Sequence, residues 1–208
     1  MTDSLTSSSD DIAVAEDYLR QWKLLSDVPR AVLPKSGFEG PAERNYTLKN
    51  QQVRKFLQHE EQSFGINLGW TDDAEPATAA KVRRWFFKRS GDTQGRLHYG
   101  ETIALGNGQK PSFIRNAHRT VGIDLEWSET PVYEWKLLGG EVGDEVKTDQ
   151  WLAIYNVKAG ECLIYFDRTR GGDIGWPSSK TWGEQLEDRL VKAIKEYADD
   201  AVKAWLAA

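Results

Sequence analysis

The chain has 208 residues, with 27 Lys and Arg against 32 Asp and Glu and a formal charge of −5. That length suits one domain with a substantial core, and the acidic balance argues against nucleic acid as the main partner, because neutralising phosphates takes a concentrated basic surface. A single cysteine, Cys162, excludes an intrachain disulfide and suits a reducing, cytoplasmic setting.

Residues 1–10 are polar and Ser-rich and are expected to form a disordered tail. Residues 1–20 show neither the basic nor the apolar region of a signal peptide, so none is expected, and no apolar run approaches the ~20 residues of a membrane helix, so no membrane association is expected. Over 11–25, Ile12, Ala15, Leu19 and Trp22 stand at helical spacing and predict a helix within an N-terminal extension covering 11–35. Short apolar runs separated by Gly, Asn, Asp and Pro predict strands from 36 to 182. Within them, the basic cluster Lys81, Arg83, Arg84, Lys88 and Arg89 reads as a solvated face. From 183 to 208, Leu186, Leu190, Ile194, Tyr197, Ala201, Val202 and Trp205 form one stripe of an amphipathic helix. Its other face mixes both signs of charge, which suits packing on protein, including a homodimer partner, better than lying on an anionic membrane.

The middle of the chain repeats itself. "GINLGW" (65–70), "GIDLEW" (122–127) and "GGDIGW" (171–176) share a pattern, and each ends 20 residues after an Asn: Asn50, Asn107 and Asn156. Between Asn and Trp lie matching apolar pairs, Phe56 and Leu57, Phe113 and Ile114, Cys162 and Leu163. A second tryptophan follows each phrase, at Trp85, Trp135 and Trp182. Internal repeats outrank other signals in assigning a fold. Three four-stranded units with pseudo-threefold symmetry predict an all-β chain of β-trefoil type over 36–182, with N- and C-terminal helical extensions. A propeller usually needs more blades, and a sandwich gives no reason for threefold self-similarity. The first unit lacks a complete upstream run, and the stretch near Phe38 is expected to supply it.

Strand alternation divides each phrase into two faces. Ile66, Leu68 and Trp70, Ile123, Leu125 and Trp127, and Ile174 and Trp176 are expected in the core. The opposite face carries Asn67, Asp124, Glu126 and Asp173, which are either ligand-binding groups or turn residues bonding nearby backbone. Trp151 has no counterpart in the other units, so a threefold core does not demand it, and it joins the candidate ligand-binding residues.

The tryptophans that follow the phrases stand in "RRW" (Arg83, Arg84, Trp85), "YEW" (Tyr133, Glu134, Trp135) and "KTW" (Lys180, Thr181, Trp182). In this the chain resembles the ricin-B-like lectins, β-trefoils whose repeats carry an apolar-polar-apolar strand followed by Gln-x-Trp. The Gln is absent from all three. The resemblance implies a β-trefoil over about 147 residues and a saccharide ligand on the polar face. The position of those lectins' stacking aromatic is held here by Gly69, Glu126 and Gly175.

Catalysis is not expected. His59, His98 and His118 are the only histidines, and "HEEQS" at 59–63 lacks the second His of a zinc-binding helix. Cys162 stands where the other units have Phe56 and Phe113, as buried filler. Asp124, Glu126 and Glu129 could serve acid–base chemistry only in a pocket that raised one pKa. The expectation is therefore a lectin-like binding module without cofactor or metal. A protein-interaction module comes second, and an enzyme on a trefoil scaffold third.

Overall fold

The computed structural model describes residues 19–25, 32–33, 45–62, 66–72, 85–91, 95–110, 112–119, 123–165, 167 and 173–179. The chain divides into two compact units, Met1–Gly175 and Trp176–Ala208. In the second, Pro177–Ser179 form a 3-10 turn, and the helix expected over 183–208 lies outside the described residues.

Among its described residues the first unit is built of β-strands. Its strands are β1 (Trp22–Leu25), β2 (Val32–Leu33), β3 (Thr47–Asn50), β4 (Phe56–His59), β5 (Leu68–Thr71), β6 (Trp85–Arg89) and β7 (Gly95–Arg96). They continue with β8 (Ile103–Asn107), β9 (Ser112–Asn116), β10 (Leu125–Ser128), β11 (Trp135–Leu138), β12 (Trp151–Asn156), β13 (Glu161–Tyr165) and β14 (Ile174–Gly175). Among the described residues no helix is long and apolar enough to cross a membrane.

The N-terminal extension needs correcting. Residues 22–25 are not the end of a helix: Trp22 and Leu24 are fully buried while Lys23 and Leu25 are half-buried, the two-residue period of a strand. Trp22 pairs with Asn50 on one side and Leu152 on the other, and such cross-strand partners outweigh a helical spacing that ends at the same residue. Residues 11–18 and the stretch near Phe38 lie outside the described residues. The upstream strand that pairs with β3 is β1, whose sequence, WKLL, is also that of β11.

One antiparallel sheet curls until its pairing returns to β1. Trp22 pairs with Asn50, Trp85 with Asn107 and Trp135 with Asn156. The same tryptophans meet residues four positions before the next asparagine in the ring: Trp22 meets Leu152, Trp85 meets Tyr46 and Trp135 meets Ile103. The circuit therefore runs β1, β3, β6, β8, β11, β12 and back. Hairpins β4–β5, β9–β10 and β13–β14 extend from β3, β8 and β12.

Indole hydrogen bonds tie this ring together. Trp22, Trp85 and Trp135 have no exposed surface. Their Nε1–H groups donate to the carbonyls of Leu163 (2.6 Å), Leu57 (2.8 Å) and Ile114 (2.7 Å), each on one of those hairpins. Buried indoles need such acceptors, since a desolvated N–H left unpaired costs about 1–3 kcal/mol. Leu48, Leu105, Ile154, Leu24, Phe87 and Leu137 fill the interior, all at most 1% exposed.

The asparagines that end β3, β8 and β12 are fully buried, and each turns the chain. Their Oδ1 atoms accept from the backbone N–H of Gln52, Gln109 and Ala159 at 2.8–2.9 Å. Four residues after Asn50, Arg54 adopts a left-handed φ of 59°, and four after Asn156, Gly160 has a φ of 72°. A left-handed conformation costs a non-glycine residue roughly 1–2 kcal/mol, partly offset by glycine's greater freedom in the unfolded chain. Arg54→Gly is therefore expected to raise stability by about 0.5–1 kcal/mol. Its urea midpoint should rise at constant m-value, while Arg54→Ala should give no gain.

Candidate functional site

Asn67, Asp124, Glu126 and Asp173 fall on the hairpins, and Asn67 and Asp124 are engaged locally. Asn67 (φ 55°) accepts the Gln62 N–H on its Oδ1 at 3.2 Å, and its carbonyl accepts from Glu60 N at 3.0 Å. Asp124 does the same in the second hairpin. Its Oδ1 accepts from Arg119 N at 2.8 Å, and its carbonyl accepts from Ala117 N at 3.0 Å. In both cases the acceptor lies five residues after the donor for the side chain and seven for the backbone. The two loops are organised alike, and the polar atom is spent on holding the connection between strands. His118, 94% exposed, approaches Asp124 at 3.8 Å. Asp173 is half-buried just before β14.

Glu126 differs. It lies on β10 directly opposite Arg115 on β9, and the two form an ion pair with side chains 37% and 45% exposed. The corresponding cross-strand pairs are Gln58 with Gly69 in the first hairpin and Ile164 with Gly175 in the third. Gly69 is not an open platform, because a Cβ there would fall 1.9 Å from the Glu60 carboxylate, which lies over it. Gly175 is buried. Of these three cross-strand pairs, only the second has a charged side chain on both strands.

The phrase-ending tryptophans also depart from expectation. Ile66, Leu68, Ile123, Leu125, Ile174 and Trp176 are buried as core, but Trp70 and Trp127 are only half-buried. They sit at the margins of the hairpins. Trp70 stacks on Trp22 (5.9 Å, 20°) and meets Tyr165 edge-on at 5.5 Å. Trp127 lies 5.7 Å from His59 and donates its Nε1–H to the Ile66 carbonyl at 2.6 Å. His59 and Tyr165 end β4 and β13, and nothing in the local sequence marks them as partners of indoles 68 and 95 residues away.

Trp151 is half-buried on β12, opposite Lys23, whose ammonium lies 4.6 Å from its ring centroid and 3.0 Å from Asp149. Lys23 covers this ring in a cation–π contact.

Buried polar groups have structural work. Glu134, 7% exposed, accepts from the Asn116 backbone N–H and from Asn156 Nδ2 at 3.0 Å. Gln21, the residue before Trp22, takes the same part, accepting from Tyr165 N at 2.9 Å and Asn50 Nδ2 at 3.4 Å. The residue before Trp85 is Arg84, a side chain with no acceptor, and Asn107 Nδ2 is buried without a partner. Burial, with a smaller contribution from Glu161, pushes the Cys162 thiol up to about 12, so it is protonated and unreactive at neutral pH. Among the described residues no group of three or more His, Cys, Asp or Glu is placed to hold a metal.

Comparison with protein-family models, with curated proteins and with solved structures gives no match.

Proposed function

We propose that the chain is a β-trefoil binding module whose ligand is a saccharide, held at the β9–β10 hairpin by Glu126 and Arg115. The observation that carries this reading is their exposed cross-strand pairing, at the register position that is covered or buried in the other two hairpins. A carboxylate and a guanidinium are planar groups, each able to make two parallel hydrogen bonds. Both groups can hydrogen-bond the hydroxyls of a saccharide. Asn67 and Asp124 act in this scheme by shaping the loops. The trefoil assignment is supported by the tryptophan–asparagine register recurring at Trp22, Trp85 and Trp135, and the proposal extends to a helix over 183–208 and a cytoplasmic setting.

A glycan array probed with the full chain tests the ligand. Glu126→Gln or Arg115→Ala should each weaken the bound glycan about 10- to 100-fold, the worth of a hydrogen bond to a charged group, while the melting temperature stays unchanged. Absence of binding to any glycan, or full binding by both variants, would sink the saccharide reading.

Trp151 favours a second reading, a protein-interaction module. A half-buried tryptophan under a lysine is the kind of side chain that dominates protein interfaces. A homodimer through 183–208 belongs to the same reading, and sedimentation of the chain truncated after Gly183 tests it: an unchanged monomer ends the homodimer idea.

A further inference from the structure

His59 closes β4 opposite Leu68, with its imidazole 5.7 Å from the Trp127 indole and the ring planes inclined by 58°. Trp127 reaches back from β10 to the Ile66 carbonyl just before β5. These two contacts join the β4–β5 hairpin to the β9–β10 hairpin. His59 Nε2 is enclosed, with no hydrogen-bond partner. A neutral imidazole tolerates one unpaired nitrogen at modest cost, whereas protonation places an N–H at the enclosed Nε2 with no acceptor, which costs more.

The charges around it do not supply that acceptor. Glu61 favours the proton, and Lys110, in the β8–β9 turn, opposes it more strongly. Glu60 lies over Gly69, β5 carries no ionisable side chain, and Glu126 on β10 is tied to Arg115.

We propose that the His59–Trp127 contact is a proton-operated latch between the two hairpins, held while the imidazole is neutral and released when it is protonated. Burial first, and Lys110 second, hold the His59 pKa below its usual 6.5. The sign follows from linkage: a group whose folded-state pKa is depressed contributes its full stabilisation above 6.5. That contribution is lost as the pH falls through 6.5 and on through the lower folded-state value. The latch is therefore set at neutral pH and releases on acidification.

The nine indole N–H signals of the full-length chain, followed by two-dimensional NMR from about pH 8 to about pH 4.5, test this across the histidine range. Trp127→Phe assigns the relevant signal. The Trp127 indole is expected to shift and to exchange with solvent faster, its released population growing about tenfold per pH unit near the onset. Its midpoint should lie below 6.5 and coincide with that of the His59 Cε1–H. The Trp22, Trp85 and Trp135 indoles, fully buried on their carbonyls, should hold their positions through this transition. His59→Gln should abolish it. A transition at or above 6.5, one shared by all the indoles, one that survives in His59→Gln, or none at all overturns the latch. If His59→Gln fails to fold, coincidence of the two midpoints in the native chain decides the matter alone.

Discussion

Trp135→Ala is expected to cost about 3–5 kcal/mol, the range for deleting a fully buried indole, against a total stability of about 5–15 kcal/mol for a domain. Two losses combine at this position. The ring has no exposed surface and is closed in by β8 and β12, so its removal leaves a cavity that the paired strands cannot collapse to fill. Its Nε1–H also satisfies the Ile114 carbonyl at 2.7 Å, and that bond links the strand ring to the β9–β10 hairpin. Trp135→Phe retains most of the apolar volume but not the donor, and should cost about 1–3 kcal/mol. Trp151→Ala should cost about 1 kcal/mol or less, because its ring is half-buried beneath Lys23 rather than enclosed by strands. Urea titrations followed by circular dichroism, compared at constant m-value, check the order. A Trp135→Ala midpoint no lower than that of Trp151→Ala would show that the indole ring does not hold the sheet together.

The contrast between these two tryptophans indicates what the sequence could disclose. Trp135 stands 21 residues before Asn156 and pairs with it, and strand lengths and turn chemistry make such intervals visible as spacing. Trp22, which has the same role, was hidden because Ile12, Ala15 and Leu19 precede it at helical intervals. The tetrapeptide it shares with Trp135–Leu138 was the signal that could have revealed it. The site was less legible still. That short polar side chains bond hairpin backbone was available as a general rule, and Asn67 and Asp124 follow it. Which charged residue stands opposite Glu126 is a question of register. Alternation reveals the face a residue occupies but not the partner across the strand, so Arg115 did not emerge. The same holds for His59 and Trp127, whose contact depends on the meeting of two separate hairpins.

Register also gives Glu134 an expected effect that its residue type conceals. A glutamate in a strand-rich chain reads as surface, yet this one is 7% exposed and accepts both the Asn116 backbone N–H and Asn156 Nδ2. Glu134→Ala removes one acceptor and leaves a buried and a part-buried donor unpaired, which should cost about 2–6 kcal/mol in total at about 1–3 kcal/mol for each donor. Glu134→Gln should fall within about 1 kcal/mol of the native chain, because an amide oxygen can accept both bonds and burial of a neutral group is cheaper. Gln21 gives the internal precedent, serving Tyr165 N and Asn50 Nδ2 from the position before Trp22. Asn107 sets the opposite case: its Nδ2 is buried with no partner, and the residue before Trp85 is an arginine, which accepts nothing. The fold therefore tolerates one such amide donor left unmatched. Glu134→Ala would add a second, together with a backbone N–H at the end of β9. Thermal melts of the two variants separate acceptor from charge. If Glu134→Gln melts as low as Glu134→Ala, the carboxylate's charge rather than its hydrogen-bond geometry is what the fold requires, and the equivalence of Gln21 and Glu134 fails.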